Sequence, residues 1–78
     1  MRERSEKCVV TFSATAAAMA MEAACKKAGL PGRLIPVPRS ITTGCGLCWA
    51  APPSSREALE ALVIEKHLEI AGIYAVVL

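Results

Sequence analysis

Gly32-Arg33-Leu34-Ile35-Pro36-Val37-Pro38 has the make-up of a β-strand, yet it carries two prolines two residues apart. Alternate amides of an antiparallel strand point the same way, so Pro36 and Pro38 remove donors from one side only. The pattern predicts an edge strand whose free side is blunted. Any arrangement of the other elements must leave this segment at the rim of a sheet.

Reading forward, Arg39-Ser40-Ile41-Thr42-Thr43-Gly44 is a connecting loop, and a further strand is expected over about 45–51, ending at Pro52-Pro53. Ser54 with Glu57 three residues on has the spacing of a capping box, and Ala58, Leu59, Leu62 and Val63 recur behind it at helical spacing. A second helix should therefore end near His67 or Leu68. A last strand, apolar on both faces, follows over 70–78. Reading backward, Lys7-Cys8-Val9-Val10-Thr11-Phe12 is a β-branched and aromatic run. Ser13 or Thr15 can cap the helix that comes next, over about 14–28, which closes with Lys26-Lys27 and stops at Gly29. Ala18, Met21, Cys25 and Ala28 share one face of it.

The order is strand, helix, strand, strand, helix, strand. It points to an α+β ferredoxin-like βαββαβ sandwich, a four-stranded antiparallel sheet with two helices on one face and spatial strand order four, one, three, two. In that order the proline-bearing strand two is an edge. Strand three also begins beside the end of strand one and the start of helix one.

At 78 residues the chain is expected to be a single domain over 1–78, since so short a chain buries only about 60% of its unfolded surface. It is 54% hydrophobic but only 4% aromatic, so the core must be built from Ala, Val, Leu, Ile and Met. Modest stability, or stability shared in a homodimer, follows. A net charge of +2 spread over interspersed Lys, Arg and Glu offers no basic stripe, which argues against a nucleic-acid partner. A basic start, an apolar run and Glu22-Ala23-Ala24-Cys25 give a faint lipoprotein-signal pattern, but Glu22 interrupts it. The run also falls short of the roughly 18 residues that span a bilayer. A mature, soluble chain without a membrane partner is expected. The four cysteines, at positions 8, 25, 45 and 48, sit in apolar periodic segments rather than a loop-rich disulfide scaffold, which favours a reducing, cytoplasmic compartment.

Chemistry concentrates in Thr42-Thr43-Gly44-Cys45-Gly46-Leu47-Cys48-Trp49, where thiols, hydroxyls and permissive glycines fall together. Cys45 is the expected working atom. A helix N-terminus carries roughly half a positive charge and free amides, which favour a thiolate. With Cys45 near helix one, Arg39, Ser13, Thr15, Thr42 and Thr43 are candidates to stabilise the anionic sulfur, and Gly44 and Gly46 to shape its approach. Cys45 and Cys48 also form a C-x-x-C pair, open to thiol redox chemistry or to half of a metal site. In an extended strand residues three apart are about 10 Å apart and point to opposite faces, beyond the ~7 Å reach of a disulfide, unless the glycines bulge the chain. Beyond that pair only Cys8, Cys25 and His67 remain as zinc or copper ligands, none at ligand spacing, so such a site would have to be shared across a dimer. No bound cofactor is expected. Cys8 and Cys25 read as small buried hydrophobes, Trp49 and Tyr74 as packing residues, and His67 as a cation at a helix C-terminus.

Thr11-Phe12, Ala28-Gly29, Leu34-Ile35-Pro36-Val37-Pro38-Arg39, Ile41-Thr42-Thr43-Gly44-Cys45-Gly46-Leu47 and Gly72-Ile73-Tyr74 together resemble the small selenium/sulfur carrier-like proteins. The resemblance covers nearly the whole chain. It implies a bacterial, cytosolic protein whose Cys45 carries sulfur or selenium as a persulfide or selenosulfide between donor and acceptor proteins, a carrier more than a true enzyme. Cys48 and Trp49 depart from the family pattern, in which only the first cysteine belongs to the motif. Three readings stay open on the residues: carrier, metal-binding or assembly module, and thiol oxidoreductase.

Overall fold

The structure, a computed structural model, describes residues 5–38 and 46–77. Its elements are β1 (Glu6–Thr11), α1 (Thr15–Ala28), β2 (Arg33–Pro36), β3 (Leu47–Ala51), a 3-10 turn at Pro53–Ser55, α2 (Arg56–Glu65) and β4 (Gly72–Val77). The four strands form one antiparallel sheet in the order β2-β3-β1-β4. This is the ferredoxin-like order read from the sequence, with β2 at one edge.

The reason β2 tolerates its prolines is visible in one hydrogen bond. The Val37 amide donates to the Gly46 carbonyl at 3.0 Å, so the amides of residues 35 and 37 face β3. Pro36 and Pro38 stand at the alternate positions, where a donor would have faced away from the sheet.

Strand alternation sorts the sheet into two faces. Cys8, Val10, Phe12, Trp49 and Ala51 lie on the face that meets Ala18, Met21 and Cys25 of α1 and Leu59 and Leu62 of α2. These residues form the core. Trp49 and Phe12 are its largest members, and burying such side chains contributes on the order of 2–3 kcal/mol each. The opposite face carries Lys7, Val9 and Thr11 of β1, Cys48 and Ala50 of β3, and Tyr74 and Val76 of β4. Val9, Thr11 and Cys48 are fully buried there as well.

Both helices end by the same device and begin differently from expectation. At the end of α1, Gly29 adopts φ 74° and the Leu30 amide reaches the Cys25 carbonyl at 2.9 Å while Gly29 donates to Lys26. This is a Schellman closure. Ala28, placed by spacing on the buried face, is exposed because the chain turns away there. α2 stops at Glu65, earlier than expected. His67 takes the left-handed role at φ 53°, with the Leu68 amide on the Val63 carbonyl at 3.0 Å. His67 is thus a closing residue held where glycine is favoured.

At the helix starts, neither expected side-chain cap forms. The N-cap of α1 is Ala14, in extended conformation, and neither Ser13 nor Thr15 caps it. At α2 the predicted Ser54–Glu57 box gives way to the 3-10 turn, because Pro53 presets a helical φ and the Ser55 amide bonds the Pro52 carbonyl at 2.9 Å. Backbone geometry does the work expected of a hydroxyl.

Candidate functional site

The candidate site is the end of the sheet at which β1 stops, α1 starts and β3 starts. Cα pairing of Thr11 with Cys48 fixes this juxtaposition. Ser13 lies two residues beyond Thr11 and Gly46 two residues before Cys48, so both flank the same end of the β1–β3 pair. Ser13, Thr15 and Gly46 are all exposed. Gly46 adopts φ 76°, and none of the described residues stands within 4 Å of where a Cβ would lie. The chain entering β3 therefore turns at Gly46, and the extended run begins only at Leu47. The expected strand over about 45–51 is thus found from Leu47 to Ala51, and Cys45 lies outside the described residues.

Among the described residues no side chain caps the first turn of α1 and no acidic residue stands in that turn, while Lys26 and Lys27 occupy its last turn. The helix therefore sets no carboxylate of its own against an anion at its N-terminal end.

The remaining cysteines have different surroundings. Cys8 is 2% exposed and Cys25 and Cys48 are fully buried. Burial pushes the Cys8 thiol up in pKa; the Arg56 guanidinium pulls the other way and Glu60 adds to the rise. Burial alone pushes Cys25 up. A buried thiol of raised pKa is a poor nucleophile and behaves as a small apolar residue. Cys48 sits on the sheet face away from the helices, between Thr11 of β1 and Ile35 of β2.

Cys45, Arg39, Thr42, Thr43 and Gly44 lie outside the described residues. Of the predicted site, Ser13, Thr15 and Gly46 gather at one end of the sheet and Cys48 lies buried beside them. Thr11 is a further residue of this end of the sheet. It is buried opposite Cys48, and its Oγ1 donates to the Gly72 carbonyl at 3.4 Å, tying β1 to β4 just below the site. Its signal in the sequence is a threonine closing the apolar run Cys8-Val9-Val10.

Among the described residues no cluster of His, Cys, Asp or Glu could hold a metal ion, and no helix is long and apolar enough to cross a membrane. Trp49 packs in the core, as expected. Tyr74 does not: 45% exposed, its ring lies over Gly72 on the sheet face away from the helices. An open groove of about 940 Å³ lies at the other end of β3, against Ala50, Ala51 and Pro52, with Lys7 and Arg33 on its walls.

These features define a class: a small ferredoxin-like sandwich with a glycine-flanked cysteine just ahead of its third strand and its other three cysteines buried. The chain belongs to the family described as "Putative Se/S carrier protein-like", whose model matches residues 7–75. No curated protein and no solved structure gives a match.

Proposed function

We propose that this protein is a sulfur or selenium carrier and that Cys45 is the atom that carries. The observation that supports Cys45 most directly is elimination within a family of carrier-like proteins: Cys8, Cys25 and Cys48 are all buried, leaving one cysteine of four for exchange with a partner. Gly46, the next residue, enters β3 at the end of the sheet where α1 begins. The first turn of α1, which carries no acidic residue, supports a thiolate there, and Arg39, Thr42 and Thr43 are proposed to add to it.

The transfer is a thiol exchange. The Cys45 thiolate attacks the outer sulfur of a donor persulfide; a bond forms between Cys45 Sγ and that sulfur, the donor's sulfur–sulfur bond breaks, and the donor leaves as a thiolate. The Cys45 persulfide then yields its outer sulfur to an acceptor nucleophile in the same way. No net oxidation occurs, so the carrier needs accessibility and a low thiol pKa rather than a bound cofactor. Selenium in place of the transferred sulfur follows the same balance. The donor and acceptor are proposed to be proteins, and the cytoplasm, where thiols stay reduced, suits the chemistry.

Intact mass spectrometry after incubation with a persulfide donor tests this directly. The expected result is a gain of one sulfur atom, removed by reductant, abolished in Cys45→Ser and retained in Cys48→Ser. A loss of two hydrogens that needs both cysteines would instead make the protein a dithiol oxidoreductase. Zinc or copper retained at fixed stoichiometry without any sulfur gain would make it a metal-binding module.

A further inference from the structure

The two edges of the sheet are not alike. β2 is blunted by Pro36, with Pro38 two residues beyond its end, whereas β4, Gly72-Ile73-Tyr74-Ala75-Val76-Val77, contains no proline and no charge. Natural edge strands generally carry one or the other, because an unprotected row of amides and carbonyls recruits a further strand.

The direction of those groups follows from the ladder. Val37 bonds Gly46, so on β3 the groups of Cys48 and Ala50 face β2 and those of Trp49 and Ala51 face β1. Through the pairs Val10 with Trp49 and Cys8 with Ala51, the alternate residues of β1, Val9 and Thr11, face β4. Their partners Tyr74 and Gly72 face inward. The amides and carbonyls of Ile73, Ala75 and Val77 therefore point out of the sheet.

We propose that β4 pairs with β4 of a second copy about a two-fold axis at Ala75, joining two four-stranded sheets into one of eight strands. The strand is self-complementary in this register. Ala75 meets its own mate, Ile73 stands opposite Val77, and Tyr74 stands opposite Val76 on the other face, an aromatic with a β-branched residue. No like charges meet across the axis, because the strand has none. The pairing covers Tyr74 and Val77, 45% and 60% exposed in one copy. It also leaves β2, which leads into the Cys45 segment, at the outer rim of the joined sheet. The proposal stands independently of the carrier reading.

The test is analytical ultracentrifugation of the full chain across a concentration series, with residue-resolved amide exchange at each point. The mass is expected to rise from 8.2 kDa toward twice that value. Exchange at Ile73, Ala75 and Val77 should slow in step, while Tyr74, already in the ladder, should not change. Ala75→Pro removes an outward donor as Pro36 does, and Val77→Lys places a charge on the edge; both should abolish association. Ile64→Lys, on an exposed apolar residue of α2, should leave it intact. If Ala75→Pro fails to fold by circular dichroism, Val77→Lys decides. A chain that stays at 8.2 kDa throughout overturns the proposal, as does a dimer that survives Val77→Lys or leaves those three amides unprotected.

Discussion

Of the described glycines, Gly32 has the least room for a side chain. It adopts φ 133°, and a Cβ built there would stand 2.6 Å from the Trp49 indole Nε1 and 2.8 Å from the Ala50 carbonyl oxygen. The carbonyl is backbone, and the indole is fully buried, so neither can step aside cheaply. Among the described residues that indole N–H also has no hydrogen-bond partner, so the contact already carries an unsatisfied donor. Gly32→Ala is expected to destabilise by about 3 kcal/mol, combining overpacking with a backbone conformation that L-residues avoid. Gly29→Ala is the control: it has the positive φ but open space around it, and should lose only about 1 kcal/mol in the same urea titration. Equal losses at the two positions would show that backbone conformation alone sets both. At this scale the site is legible through residue chemistry, since thiols, hydroxyls and glycines crowd one segment. Burial is less so. That Cys48 is wholly enclosed, and Thr11 with it, depends on how three strands stack, which no local spacing encodes.

Elements are where the sequence speaks most directly, because each carries its own boundary chemistry. Prolines place β2 at an edge since a missing donor has only one harmless side. Gly29 after a lysine pair ends α1 because a left-handed residue closes the helix most cheaply in glycine. The helix starts are less legible: a hydroxyl near a helix can cap it, but whether it does depends on the path of the preceding chain. At α1 that path makes Ala14 the N-cap, with φ −144° and ψ 148°, the conformation a capping residue needs but without an oxygen to offer. Ala14→Ser and Ala14→Asp should therefore each stabilise the protein by about 1 kcal/mol. The pair separates capping from charge. On the carrier reading the aspartate also opposes a nearby thiolate, so the pH midpoint for alkylation of Cys45 by iodoacetamide should rise in Ala14→Asp and move less in Ala14→Ser. A midpoint identical in all three proteins would remove α1 from the account of Cys45.

At the scale of the whole molecule, the burial of Cys8 and Cys25 ties stability to pH. Cys8 and Cys25 belong to one core, on β1 and α1, and burial raises the pKa of both above the ordinary thiol value of about 8.5. The unfolded chain releases those protons first, as pH climbs past that ordinary value, while the folded protein holds them. Between the unfolded and folded pKa values the native state binds more protons, and stability must fall as pH rises. Below the unfolded value the contribution is fully present; above the folded value the loss is complete and the slope levels off. Each thiol can tilt the curve by at most ~1.4 kcal/mol per pH unit within its window. Urea unfolding under reductant from neutral to alkaline pH should thus show a plateau followed by a decline. Cys8→Ala and Cys25→Ala should each flatten the decline while lowering the plateau, since each also removes a packed sulfur from a core short of large side chains. Cys25 should flatten it more cleanly, because Arg56 partly offsets the burial at Cys8. A decline that persists unchanged in the double variant would assign it to other groups, and Cys8 and Cys25 would then be silent in the pH dependence of the fold.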